Sequence, residues 1–450
     1  MLTFWGANDD CAGRSMRSSR LSGVRRHCLV EWPRKRSRNS RISCPARLGG
    51  ALKTLSIAIV GGGLGGLAAA SALTKLGFAV ELFEQAPVIG EVGAGIHVSP
   101  QASKALIAAG ISSDVLLGAA TISRGIFTRD MNSGEKIFYA DARGAEARYG
   151  VPFLAFHRAD LLGVLSGAIN PSCIHLNHRL TDLEESGSGI TLHFANGTTH
   201  RSDVLIGADG VRSVVRRAVY GETEPTFTGQ MVWRGLLQGS DVPPEILEPS
   251  GHVRWVGAGR QFYCYYLRRG AVVAIVTQQE SGKWVEEGWS IPGDPDEMRA
   301  SFPDPEPRLE RLLSLVTDCS KWGIFLRPAT EQWGRGRIQL IGDAAHAMLP
   351  NAGQGACQAF EDGYILARWL EVEKDPVEAL SGFRRARMRR VHAIQNRSAL
   401  NASAKRLPTP EERKAAFREA GLAAVAAMEW IYGYDPVTDW NKPGEIPAGT

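Results

Sequence analysis

The stretch LSIAIVGGGLGG, residues 55–66, constrains the fold more than any other part of the chain, because a short apolar run stops abruptly at five glycines. Residues 56–60 have the length and β-branched content of a fully buried parallel strand. Gly61, Gly63 and Gly66 then fit G-x-G-x-x-G. The first glycine permits a tight turn, the second lets a pyrophosphate approach the backbone, and the third lets helix and strand pack closely. Alanine-rich residues 67–76 predict the helix, with Gly77 as its C-cap. Its free N–H groups and positive dipole end face the phosphates. A second strand, residues 78–83, ends in Glu84, whose carboxylate can bond both hydroxyls of an adenosine ribose. Dinucleotide binding follows, but the fingerprint alone serves NAD and FAD equally.

Composition bounds the remainder. The chain has 450 residues, 44% hydrophobic and 22% charged, enough for two domains of an ordinary globular protein. Its net charge is +5, yet residues 1–50 hold eleven of the 52 Lys and Arg and only three of the 47 acids. The other 41 cations against 44 acids leave −3, so the body makes no case for nucleic-acid binding. Residues 1–51 lack apolar periodicity and predict a disordered basic extension. Their Arg- and Ser-rich composition fits an organellar transit peptide, but an over-extended start is the simpler reading. The seven cysteines show no C-x-x-C and no His/Cys ligand spacing, so no metal is expected and reduced thiols in a cytoplasmic protein are the default. No run of eighteen apolar residues is present, so no membrane span is expected.

Further along, Gly93-Ala94-Gly95-Ile96-His97 is a glycine-rich loop before a helix over 101–110, and Arg158 opens another helix where it could hold a phosphate or carbonyl. Strand signals fall at 174–176, 179–184, 190–194 and 204–206, with an Asn196-Gly197 turn between the third and fourth. The last ends in Asp209-Gly210, where ligands bind in open α/β sheets; a helix-capping role for Asp209 is the competing reading. Residues 230–237, 261–267 and 271–278 are aromatic and β-branched, an antiparallel sheet inserted into the first domain, with Arg269-Gly270 as a hairpin turn. Alternation puts Gln230, Val232 and Arg234 on one face and Trp233 on the other. Residues 296–316 read as a helix. The chain then returns through 337–343, a buried strand ending in Gly342-Asp343, and Gly353-Gln354-Gly355 opens a helix through residue 370. A carboxylate there can take a ribitol hydroxyl, and a helix N-terminus can stabilise negative charge on a reduced flavin ring. The cations of residues 384–390 read as a solvated face, and His346 as a structural residue bonded within its loop.

Together these residues, from about Leu55 to Asp435, resemble the single-component flavoprotein aromatic hydroxylases, the p-hydroxybenzoate hydroxylase-like family. Within it they are most similar to the salicylate, 6-hydroxynicotinate and 3-hydroxybenzoate hydroxylases. The resemblance implies that Gly61, Gly63, Gly66 and Glu84 hold the AMP half of FAD, with Gly65 and Gln85 also in the cofactor-binding set, and that Asp209-Gly210 serves both FAD and NAD(P)H. It further implies that Gly342-Asp343 binds the ribitol, and Arg158, Leu180, Gly353 and Gly355 complete the cofactor-binding candidates. The G-A-G-I loop, the Arg of HRADL and the W-[IV]-Y-G-Y-D tail belong to the same subgroup pattern. Gln230 and Trp233 stand where several acid-hydroxylating relatives carry a histidine, and FLRPATEQW and PNAGQG also depart from the subgroup.

The implied architecture is α/β: a Rossmann-like FAD-binding domain (52–120, 151–222, 321–372), an inserted antiparallel-sheet substrate domain (121–150, 223–320), and C-terminal helices and tail (373–450). The implied chemistry is hydride transfer from NADH or NADPH to FAD, reaction with O2 to a C4a-hydroperoxyflavin, and hydroxylation of a small, hydroxylated, acidic aromatic compound by a monomer or homodimer. His97 is the candidate base, with a loop histidine packed on the flavin as the equal alternative. Tyr265 and Arg234 are candidates to orient substrate, and Pro350 joins the catalytic set. Three rivals are an epoxidase or hydroxylase of a non-acidic lipid or polyketide, a nicotinamide-only dehydrogenase, and a non-catalytic escort protein on the same fold.

Overall fold

In the computed structural model the described residues are 55–90, 95–221, 224–247, 251–282, 291–400, 409–427, 429–442, 444 and 446. The expectations for residues 1–51 and for Gly93-Ala94 lie outside them. Strand Ser56–Val60 is central to the first sheet, with Ile57, Ala58 and Ile59 at most 1% exposed. It pairs in parallel with Val204–Gly207 on one side and Ala79–Phe83 on the other. Ile338–Leu340 and Ile174–His175 extend the sheet in parallel, and Gly334–Arg335 closes one edge antiparallel. A sheet buried on both faces needs near-continuous apolar strands, which is what these residues supply. Helices Leu64–Lys75, Pro100–Ala108 and Gly355–Val372 pack against it.

The inserted domain is an eight-stranded sheet. In spatial order its strands are Ile291–Gly293, Cys319–Leu326, Thr226–Gln238, Val272–Glu280, Arg260–Leu267, His252–Gly257, Gly125–Asp130 and Lys136–Asp141. Strand Cys319–Leu326 runs through the expected boundary at residue 320, so the chain leaves this sheet only after Leu326. Trp233, Trp255 and Phe262 fill its far face together with Leu309, Leu312 and Leu313. The expected helix over 296–316 is two helices, Pro295–Ala300 and Pro307–Ser314. Pro303, Pro305 and Pro307 remove backbone donors, and the chain cannot continue one helix through them. The Asn196-Gly197 turn joins Gly189–Phe194 to an additional strand, Thr199–Ser202, rather than directly to Val204–Gly207.

Helix Pro376–Leu400 returns over the first domain, and helix Pro410–Ala427 lays Phe417 on Ile137 and Val256 of the inserted sheet. Arg387 and Arg390, expected on a solvated face, are fully buried. Arg387 bonds Asp362 and Glu361 at 2.9 and 2.6 Å, and Arg390 bonds Glu361 at 3.1 Å. Charge spacing along one helix cannot show that the neighbouring helix presents two buried carboxylates, and a buried charge needs such partners. Among the described residues no helix is long and apolar enough to cross a membrane, and no group of three or more His, Cys, Asp or Glu could hold a metal ion.

Candidate active site

The glycine turn has the packing its sequence requires. Gly61 adopts φ +109°, and a Cβ there would stand 2.3 Å from the Ala208 carbonyl oxygen. A Cβ on Gly66 would stand 1.9 Å from the Gly61 carbonyl oxygen, so helix Leu64–Lys75 approaches its strand only through glycine. Gly63 has no protein atom within 4 Å of such a Cβ, and the helix begins there with no side-chain cap. Its first N–H groups therefore face open space, as a phosphate site requires. Glu84 braces this turn: Gly62 N–H donates to Oε2 at 2.6 Å and Ala86 N–H donates to Oε1 at 2.8 Å. Each oxygen keeps a second lone pair for a ribose hydroxyl. Gln85 beside it is exposed and Arg158, at the start of Arg158–Gly167, is half-buried. Leu180 buries its side chain in the core, which leaves its backbone for any ligand contact.

The second half of the site forms where strand Ile338–Leu340 ends. Gly342 turns the chain at φ 56°, and Asp343 opens the short helix Asp343–His346. The half-buried Asp343 carboxylate has no hydrogen-bond partner among the described residues and lies 4.0 Å from where a Gly355 Cβ would be. Helix Gly355–Val372 also starts without a side-chain cap, after the Pro350–Ala352 turn, where Pro350 is exposed, and Gly353 at φ 62°. An unpartnered carboxylate beside an uncapped helix N-terminus is the donor set for a polyol and a ring that gains negative charge. Asp209 behaves differently. It accepts from Ser213 Oγ at 2.5 Å and Val215 N–H at 3.1 Å, supporting the N-cap Ser213 of helix Val214–Tyr220, and Gly210 follows at φ +79°. These bonds to the helix start are those a capping role for Asp209 expects, and burial raises its carboxyl while they oppose the rise. Phosphate cradle, ribose acid, ribitol acid and second helix N-terminus all fit an FAD molecule.

Across from this cradle the inserted sheet presents Arg234, Val276, Tyr263 and Arg254 in one row, and Ala274, Tyr265 and His252 in the next. His97, on Gly95–Val98, meets that second row: its Nε2 is 2.6 Å from His252 Nε2, and His252 Nδ1 is 2.8 Å from Ser123 Oγ. Tyr265 packs on both rings, with centroids at 4.4 and 4.9 Å. This contact requires glycine at 95, where a Cβ would stand 2.3 Å from Tyr265 Oη. Burial pushes His97 down to about 4 and His252 well below the ordinary imidazole value, so both rings are neutral at physiological pH. Burial raises the Tyr265 phenol, while Arg234 opposes that shift. The Arg234 guanidinium lies 3.1 Å over the Trp322 ring. Val232, Ile324 and Leu349 make an apolar wall beside it.

The structure thus brings His97, Tyr265 and Arg234 to one sheet face and leaves Pro350 exposed on its turn. Gln230 is buried and accepts from Gln278, which accepts from Gln261, while Trp233 faces the opposite core as alternation predicts. His252 and Ser123 were not legible as site residues, because strand His252–Gly257 carries no turn signal that sets it apart. His346 bonds Asp362 of helix Gly355–Val372 at 2.6 Å rather than its own loop. Asp362 also accepts from Gly342 N–H at 3.1 Å, so the buried ions hold the Gly342-Asp343 turn in place. The W-I-Y-G-Y-D tail joins the same network: Trp430 and Ile431 carbonyls accept from Arg390 at 3.0 and 2.9 Å, and Asp435 pairs with Lys104 at 2.9 Å.

Comparison with known proteins gives the family. Residues 54–393 match the family described as FAD binding domain. The chain is 32% identical over 385 residues to 3-amino-4-hydroxybenzoate 2-monooxygenase PtmB3 of Streptomyces platensis, covering 84% of this chain and 96% of that protein. It is 34% identical over 318 residues to 6-hydroxynicotinate 3-monooxygenase of Pseudomonas fluorescens, covering 70% and 82% respectively. Among solved structures, a salicylate hydroxylase substrate complex superposes with a TM-score of 0.74 at 26% identity, covering 88% of this chain and 99% of that one. With the cradle, the two helix N-termini and these relatives in agreement, the chain belongs to the FAD binding domain family and, within it, to the FAD-dependent aromatic monooxygenases.

Proposed function

We propose that the substrate is a small aromatic acid bearing a ring hydroxyl, hydroxylated at the expense of NADH or NADPH and O2. The observation that carries this reading is the neutral His97, hydrogen-bonded from behind by His252, on a sheet face that also holds Tyr265 and Arg234. The names of the relatives above share a carboxylate and a hydroxyl on a six-membered aromatic ring.

When bound, FAD supplies the redox chemistry, taking a hydride from NAD(P)H and activating O2. Gly61, Gly63, Gly66 and Glu84 would hold its AMP half, and Asp343 with the N-terminus of Gly355–Val372 would hold the ribitol and ring. The protein must then turn a phenol into a better nucleophile. His97 is a proton acceptor because burial keeps its ring neutral, and an approaching anion raises its affinity for that proton. Arg234, stacked on Trp322, offers a guanidinium to the substrate carboxylate, and Tyr265 orients the ring hydroxyl. The apolar wall of Val232, Ile324 and Leu349 keeps water from the reacting centre.

The cytoplasmic reading is supported by Cys264, Cys319 and Cys357, which form no disulfide among the described residues. A monomer or homodimer completes the proposal, and light scattering reads it. The chemistry is tested by NAD(P)H consumption against a panel of hydroxylated benzoates and pyridine carboxylates with product analysis. At least one panel acid should stimulate consumption and appear hydroxylated. Turnover of neutral lipids or polyketides with no response to any acid would replace this reading by the epoxidase-type one.

A further inference from the structure

Two neutral imidazoles whose Nε2 atoms stand 2.6 Å apart share one proton, since one ring must donate and the other accept. His252 turns its other nitrogen to Ser123 Oγ at 2.8 Å, and Ser123 is held by its own N–H on the Phe153 carbonyl at 2.9 Å. His97 Nδ1 makes no hydrogen bond among the described residues, and His97 keeps accessible surface where His252 is 4% exposed. The result is a chain of hydrogen bonds with an open end at His97 Nδ1 and a closed end at Ser123.

We infer that His252 acts through His97 as a positioning and proton-holding residue: a proton taken from the substrate at His97 Nδ1 is passed on, as the Nε2 proton, to His252. This rests on the aromatic hydroxylase reading. In the resting arrangement His97 Nε2–H donates to His252 Nε2, and His252 Nδ1–H donates to Ser123 Oγ. The O–H bond of the ring hydroxyl breaks as His97 Nδ1–H forms, and His97 Nε2–H breaks as His252 Nε2–H forms. Substrate ends as phenolate, His97 ends neutral and His252 ends as imidazolium, so the charges balance, and the phenolate is the counter-charge that a cation buried at His252 requires. Moving the cation one ring back weakens its hold on the phenolate, because Coulomb attraction falls with distance. The phenolate electrons stay available for attack on the activated oxygen.

Among the described residues, the titratable groups facing the pair from neighbouring elements hold their own protons more tightly or lie off this path. Tyr265 packs on both rings, and burial raises its phenol. The Cys357 thiol, 3.6 Å from the His97 carbonyl oxygen, is pushed up to about 11 by burial. His157 lies on the strand paired with Gly95 and is lowered by burial, and Arg234 acts on the site through Tyr265.

His252→Gln separates relay from support, since glutamine can still bond His97 Nε2 but cannot take a proton. The first arm is nitrogen NMR of isotopically labelled histidine in FAD-loaded protein without substrate. It should show two neutral rings joined by one Nε2 proton; two independent Nε2–H groups would overturn the inference even if no panel acid is a substrate. The second arm uses whichever panel acid the wild type hydroxylates, following phenolate absorbance of the bound acid against pH and product formed per NAD(P)H. His252→Gln should keep FAD and its reduction by NAD(P)H. On-enzyme phenolate formation should move up by about one pH unit or more, and hydroxylation should slow about tenfold or more. Imidazole added to His252→Gly should restore part of the loss. A His252→Gln pH profile and product yield equal to wild type would overturn the relay. If that variant does not fold, Ser123→Ala decides: a shift in the same direction supports the relay, and an unchanged profile overturns it.

Discussion

Arg387→Met removes one cation from a buried network while keeping most of the apolar stem. Arg387 Nε donates to Asp362 Oδ1 at 2.9 Å and Nη1 donates to Glu361 Oε2 at 2.6 Å, with every side chain involved fully buried. Removing one partner of a buried pair costs about 3–5 kcal/mol, because the other charge is left uncompensated. Glu361 keeps Arg390, and Asp362 keeps His346 and the Gly342 amide, which places the cost at the lower end, about 3 kcal/mol. At about 2.1 cal/mol/K of unfolding entropy per residue over roughly 400 residues, Tm should fall by about 4 °C. The pH dependence has a definite sign. Burial alone would raise Asp362, but His346 and Arg387 hold it below its ordinary 3.8. Without Arg387 the folded-state value rises, and a carboxyl raised in the fold costs stability as pH climbs above its unfolded value. The Tm gap between wild type and variant should therefore widen from acid to neutral pH. Because Asp362 also holds Gly342, the variant should release FAD more readily on gel filtration. Calorimetry across pH with absorbance of retained flavin reads both effects. A Tm unchanged within error at neutral pH would refute the reasoning.

Gly63→Ala and Gly66→Ala form a contrasting pair. Gly66→Ala drives a Cβ to 1.9 Å from a backbone oxygen and should lower the Tm of the FAD-free protein, whereas Gly63→Ala meets no protein atom and should spare that Tm while weakening FAD binding. Asp343→Ala should cost about 1.5–3 kcal/mol of FAD affinity in a fluorescence titration, the worth of a hydrogen bond to a charged group. His97→Ala should slow hydroxylation ~10²-fold or more at neutral pH while NAD(P)H still reduces bound FAD; unchanged hydroxylation would relegate His97 to packing. His97 has a folded value of about 4 against an ordinary 6.5, so it contributes stability that is present above pH 6.5 and lost as pH falls toward 4. Denaturant melts should show His97→Asn with a shallower acid slope over that window.

The dinucleotide half of the site was legible because each of its signals is contiguous. Strand 56–60, Gly61, Gly63, Gly66 and Glu84 lie within 30 residues, and local geometry alone gives each a role. Gly342-Asp343 and Gly355 were legible for the same reason. The His97–His252 contact spans 155 residues and depends on two strands meeting across a domain boundary, which no local pattern reports. Arg387 and Arg390 were misread because the charge pattern of one helix cannot identify what faces it. A signal was present nonetheless: Glu361-Asp362 sits between Ala359-Phe360 and Tyr364-Ile365-Leu366 in helix Gly355–Val372, and two buried acids call for buried cations. The helix split near Pro303 and Pro305 was equally readable from the prolines themselves.

The central claim is that this chain uses FAD to place one atom of O2 on a hydroxylated aromatic acid, and isotope incorporation tests it most directly. FAD-loaded protein is given NADH or NADPH, the panel acids and heavy-isotope O2, and products are weighed by mass spectrometry. The account predicts a product that gains a single labelled oxygen, with one NAD(P)H consumed for each product formed. Labelled hydrogen peroxide alone, or a hydroxylated product carrying oxygen from water, would contradict it.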